Sequence, residues 1–164
     1  MTTTPPGAAK RPTLLTVICI LSFIGGAIGL WGGYANAFTD FPQKQVEESK
    51  NQLQEMTDQV GADSPMIGLL EDGLAMNEKN LENAKPIGYS NLVLSLISIT
   101  GVWLMWNLRK TGFWIYLVAS VGGLTSAFYF LGGEGLFANI TTILTTIITV
   151  IFIILFGVNV KHMR

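Results

Sequence analysis

Four stretches of this chain carry no Asp, Glu, Lys or Arg, and they limit its fold more than any other feature. They lie between Arg11 and Asp40, Lys85 and Arg109, Lys110 and Glu134, and Glu134 and Lys161, and hold 28, 23, 23 and 26 residues. A helix needs about 20 apolar residues to cross the hydrocarbon core of a bilayer, so each gap has room for one crossing. Only 13% of the chain is charged, against about 25% for a soluble domain. The expectation is an all-α polytopic membrane protein, a four-transmembrane-helix bundle with an extracytoplasmic helical hairpin. Its parts are a disordered tail over 1–12, spans over 13–38, 87–108, 112–131 and 136–160, a hairpin over 39–86, turns at 109–111 and 132–135, and a tail over 161–164.

Lys10-Arg11, the following apolar run and Ala35-Asn36-Ala37 also have the outline of a signal peptide with an A-x-A cleavage site. The run from Thr13 to Trp31 is 19 residues, longer than the usual apolar region of roughly 7–15 in a signal peptide. An uncleaved first span is the reading preferred. Cys19 lies inside that span as the chain's one cysteine; it has no partner for an internal disulfide, and reads as a small apolar filler.

Short loops rich in Lys and Arg stay on the cytoplasmic side. Lys10-Arg11, Arg109-Lys110, and Lys161 with Arg164 all fall on one side of the four spans. The other side carries the 47 residues Thr39–Lys85, with ten acids and four lysines, and the turn holding Glu134. Both termini are expected inside and the acidic segment outside. Trp and Tyr favour the headgroup level; Trp31, Tyr34, Tyr89 and Tyr129 read as outer anchors, and Trp103, Trp106, Trp114 and Tyr116 as inner ones.

Within the first span GGAIGLWGG sets Gly25, Gly29 and Gly33 on one helical face, four residues apart, with Ala37 continuing the row. The third repeats the device with Ala119, Gly123 and Ala127. In lipid, helices associate through close backbone approach, which small residues permit. These six residues are therefore expected to form the tightest helix contacts, inside the chain or between copies. The fourth span carries Asn139, Thr142, Thr146 and Thr149 on one face, with Thr145 beside them. That row reads in two ways: as a polar path for a solute, or as threonines bonded back to their own helix at the i−4 carbonyl.

No ionisable side chain lies inside a span, whereas proton relays and ion-coupled carriers use intramembrane charge. No H-E-x-x-H, G-x-S-x-G, C-x-x-C or Walker pattern occurs. The chain is not expected to be an enzyme, and no cofactor, metal or nucleic-acid partner is expected. In the outer segment Asp40 and Gln43 have capping-box spacing, Gly61 is a stop, and Ser64-Pro65 is a second start. Val46, Leu53 and Met56 on the first helix, and Ile67, Leu70 and Leu74 on the second, give apolar faces that either pack together or meet a partner. Its acids show no EF-hand pattern. Glu134 is expected at the start of the fourth span, where the helix dipole favours an acid.

RPTLLTVICILSFIGG and GVWLMWNLRKTGFWIYL resemble segments of small four-span bacterial membrane proteins to which no activity attaches. The resemblance implies a bacterial cytoplasmic membrane and no particular site residues. Gly29-Leu30-Trp31 has a claudin-like look, but the outer segment has no cysteine pair. The functional expectation is an accessory or scaffolding subunit of a membrane assembly, its partners the lipid bilayer and other membrane proteins or a second copy. The alternative is a small oligomeric channel or facilitator with a threonine-lined path.

Overall fold

The computed structural model describes residues 12–131 and 136–163. The first eleven residues, the 132–135 turn with Glu134, and Arg164 lie outside the described residues, and the expectations placed on them go with them.

The described chain is all-helical: α1 Thr13–Phe38, α2 Phe41–Val60, α3 Pro65–Glu82, α4 Ala84–Trp106, α5 Thr111–Leu131 and α6 Leu136–Asn159, closed by a 3-10 turn at Val160–His162. Four of the six, α1, α4, α5 and α6, are long and apolar enough to cross a membrane. α4 begins at Ala84, ahead of the expected 87, because α3 runs to Glu82 and only Asn83 interrupts the two. Pro86 sits in the first turn of α4, where a missing N–H removes no helical bond.

α2 and α3 form a hairpin. The N-terminus of α2 departs from the capping box expected of it: Asp40 stands at the cap position but its side chain accepts nothing. Thr39 does that work instead, its Oγ accepting from Phe41 N at 3.2 Å while donating to Ala35 O at 2.7 Å. One hydroxyl thus ties the end of α1 to the start of α2. Gly61 closes α2 at φ 82, a left-handed conformation costly for other residues. Ser64 accepts from Met66 N at the head of α3, followed by Pro65 in the first helical position. Across the hairpin Asn77 Nδ2 donates to Ser49 Oγ at 2.8 Å, and Lys50 Nζ lies 3.0 Å from Glu78.

α4 turns into α5 through a tight helix end. Arg109 N donates to Leu104 O at 2.9 Å and Leu108 stands at φ 59. This is the geometry of a glycine-ended helix, here adopted by a leucine whose side chain packs on the core. That core gathers at the same end of the molecule: Leu15, Ile18 and Cys19 from α1, Val102 and Met105 from α4, Tyr116 from α5 and Phe156 from α6. Tyr116 is therefore not the boundary anchor expected of it. It is buried with its ring 4.8 Å from that of Phe156, because the start of α5 is gripped between α4 and α6. Trp31, Tyr34, Tyr89, Tyr129, Trp103 and Trp114 stay exposed. At the other end α1 and α4 stay in contact, and α3 touches both α5 and α6.

Candidate functional site

Two glycine crossings set the distances between helices. At the first, α1 lies on α4: a Cβ on Gly33 would fall 2.9 Å from Leu92 N and 3.0 Å from Gly88 O, and one on Gly88 would fall 2.6 Å from Ala37 N. At the second, α4 lies on α5: a Cβ on Gly101 would fall 2.8 Å from Tyr116 N, and one on Gly112 would fall 2.5 Å from Gly101 O. Both are backbone-on-backbone contacts, of the kind that only residues without a side chain allow. Between them Gly29 faces the Ser95 hydroxyl and Gly26 faces Ile99.

The row expected along α1 is thus divided. Gly29 and Gly33 face α4, while Gly25 has nothing within 4 Å of a built Cβ. The α1 face that meets α4 runs through Gly26, Gly29, Gly33 and Ala37, at spacings of three and four. Gly88, Gly101 and Gly112 were not among the residues singled out from the sequence. Their pairing was not legible from spacing: Gly101 lies five residues before the end of α4 and Gly112 one residue after the start of α5, so the two are not equidistant from the turn.

On α5, Ala119, Gly123 and Ala127 border, together with Gly25, an open cavity of about 500 Å³ between α1, α4, α5 and α6. Gly123, like Gly25, has nothing within 4 Å of a built Cβ. The cavity lies near the mid-length of all four helices, and its polar wall comes from Ser22, Asn91, Ser95, Ser98, Tyr116 and Ser120. Tyr116 stands within reach of Ser120 and Ser22. The Ser22 Oγ is buried, with the Tyr116 hydroxyl as its polar neighbour.

α6 adds Thr145 and Thr149 to this wall. Of the path residues expected on α6, Thr149 alone borders the cavity. Thr142 and Thr146 are half-buried and Asn139 is exposed. Thr146 Oγ1 donates to Thr142 O and Thr149 Oγ1 to Thr145 O, each at 2.8 Å, the back-bonded geometry of a helical threonine.

In the hairpin, Val46 and Ile67 are buried, and Leu53, Met56, Leu70 and Leu74 are half-buried. The apolar residues the hairpin exposes are others: Phe41, Val60, Met66 and Leu69. A smaller pocket of about 350 Å³ lies where Asn36, Gln43, Glu82 and Lys85 converge at the junction of hairpin and long helices. No group of three His, Cys, Asp or Glu is placed to hold a metal among the described residues.

No protein-family model matches the chain, and neither a curated protein nor a solved structure matches it.

Proposed function

We propose that this chain is a multi-pass protein of a bacterial cytoplasmic membrane and a non-catalytic accessory or scaffolding subunit of an assembly there. Both ends would lie on the cytoplasmic side and the α2–α3 hairpin outside. The charge distribution supports this placement: Arg109, Lys110 and Lys161 gather at the core end of the long helices, and the acidic hairpin stands at the other.

One observation carries the subunit role. α6 is the most apolar of the four long helices, yet 6% of its apolar window is buried by its own chain, against 28% for α1. Lipid tails are as apolar as leucine, so association in a bilayer depends on packing and not on hydrophobicity. A helix held this little by its neighbours within the chain is well placed to be held by another. Ile143, Ile147, Ile151 and Ile154 form its exposed face. The test is a photocrosslinking residue at Ile147 or Ile151 in native membranes. Adducts with a second membrane protein, or with another copy, support the role. Adducts with lipid alone, together with recovery of a solitary chain in the mildest detergents, refute it.

The channel reading has one point in its favour, the presence of Thr149 and Thr145 at the cavity wall. Solute flux in liposomes, compared between wild type and Thr149→Leu, decides it; absence of flux in both removes the reading.

A further inference from the structure

We propose that the mid-depth cavity binds an uncharged amphiphile drawn from the lipid phase, of the acylglycerol class: a head bearing hydroxyl and carbonyl oxygens, carried on hydrocarbon. The proposal rests on the membrane placement above but not on the subunit role.

The chemistry of the wall selects the head. Ser22, Asn91, Ser95, Ser98 and Ser120 contribute hydroxyls and one amide, groups that both donate and accept hydrogen bonds. Such a set satisfies a ligand presenting hydroxyl and carbonyl together. Among the described residues it contains no Lys, Arg, Asp or Glu, so a phosphate or ammonium head would enter without a counter-charge from them, at a large desolvation cost. The Ser22 Oγ, buried beside the Tyr116 hydroxyl, keeps a lone pair that such a head would use, since a hydroxyl both donates and accepts.

The remaining wall selects the tail. Leu21, Leu94, Leu124, Ile148 and Phe152 supply apolar surface beside the polar groups. A volume of about 500 Å³ lies within the roughly 300–1,000 Å³ usual for small-molecule sites. It accommodates a head and the first carbons of its chains, with the rest leaving sideways. Among the described residues the lining comes from the long helices, from Tyr116 near the start of α5 to Ala127 near its end, and none from the hairpin or a turn. Access is therefore lateral, between helices, which suits a ligand already dissolved in lipid. The space is also built into the sequence: Gly25 and Gly123 border it, and a Cβ on either would meet nothing within 4 Å, so a larger side chain at either would project into open space.

The experiment uses the full chain in phosphatidylcholine vesicles with a diazirine-bearing diacylglycerol, and the phosphatidic acid with the same chains as the charged counterpart. The expected result is saturable labelling by the diacylglycerol probe, mapped by mass spectrometry to α1, α4 and α5 around the cavity. Unlabelled diacylglycerol should compete and phosphatidic acid should not. Gly25→Leu and Gly123→Leu should each lower labelling at least ten-fold while unfolding at the wild-type temperature. Asn91→Leu, which keeps volume and removes a polar partner, gives a second route should either leucine variant fail to fold; labelling should fall again. Even labelling around the outer faces of α6, unchanged in all three variants, overturns the proposal, as does equal labelling of the cavity by the phosphatidic acid probe. Loss of the protein from the vesicles on alkaline washing would overturn the membrane placement as well.

Discussion

Gly88→Ala adds one methyl group to α4, and the structure gives its consequence. The new Cβ would stand 2.6 Å from Ala37 N, 2.7 Å from Ala37 Cβ and 2.8 Å from Gly33 O, where ordinary contact begins near 3.4 Å. Two of these three neighbours are backbone atoms, which no change of rotamer can withdraw. α1 and α4 must therefore part by close to an ångström, and the contacts of Gly29 with Ser95 and of Gly26 with Ile99 loosen with them. Overpacking of this kind costs about 1–3 kcal/mol. Against it runs the helix preference for alanine over glycine, up to about 1 kcal/mol. Gly25→Ala supplies the control: it lies on α1, the other helix of the seam, and makes the same change in propensity, but its Cβ would meet nothing within 4 Å. The difference between the variants isolates packing. Gly88→Ala should be less stable than Gly25→Ala by about 1–3 kcal/mol, measured by unfolding in mixed micelles titrated with a denaturing detergent. Equal stabilities would refute the claim that Gly33 and Gly88 set the α1–α4 distance.

Further outcomes follow from other parts of the molecule. Leu108 at φ 59 carries strain of about 1–2 kcal/mol while packing on the core, so Leu108→Gly should leave stability nearly unchanged. Leu108→Ala keeps the strain and loses the packing; if it proves no less stable than Leu108→Gly, the strain is not there. Ile67, on α3, is 3% exposed, and Ile67→Ala should destabilise its surroundings by about 2–3 kcal/mol, read as faster proteolysis within residues 41–82. Lys50→Ala removes an ion pair whose partners are 57% and 47% exposed and should cost less than about 1 kcal/mol in the same assay. For the membrane placement, an impermeant thiol reagent should reach a cysteine at Glu55, but not one appended after Arg164, in sealed cells; labelling of both from outside would refute it.

The long helices were legible because their signal is one of exclusion. A single charge inside any of the four gaps would have shortened a candidate span below the needed length, and none occurs. The hairpin's limits were legible for a different reason. Gly61 and Ser64-Pro65 act through local backbone chemistry, which a sequence displays directly. The capping box was not realised because Asp40 and Gln43 had a competitor: Thr39, already bonded back to Ala35, is closer to the first free N–H of α2. Tyr116 was misplaced because an aromatic near the end of a span looks the same whether it meets a headgroup or a neighbouring helix. What separates the two is the face it occupies relative to α6, and that depends on contacts between residues 40 apart in the chain.

The small-residue rows show the same limit more sharply, and they tie packing to the cavity. A row of Gly and Ala states only that a helix face is without bulk. Where another glycine stands opposite, as Gly88 does for Gly33, the face becomes a close crossing. Where polar side chains stand opposite, as Ser22, Asn91 and Ser98 do for Ala119 and Gly123, it remains a cavity. The periodicity is identical in the two cases, so only the partner face distinguishes a contact from a space. The crossings at Gly33–Gly88 and Gly101–Gly112 bring the backbones of α1, α4 and α5 together, whereas α6 meets α5 through side chains, Phe156 against Tyr116 and Gly157 beside Phe113, so the space beside Gly123 is left where no glycine pair draws two helices together.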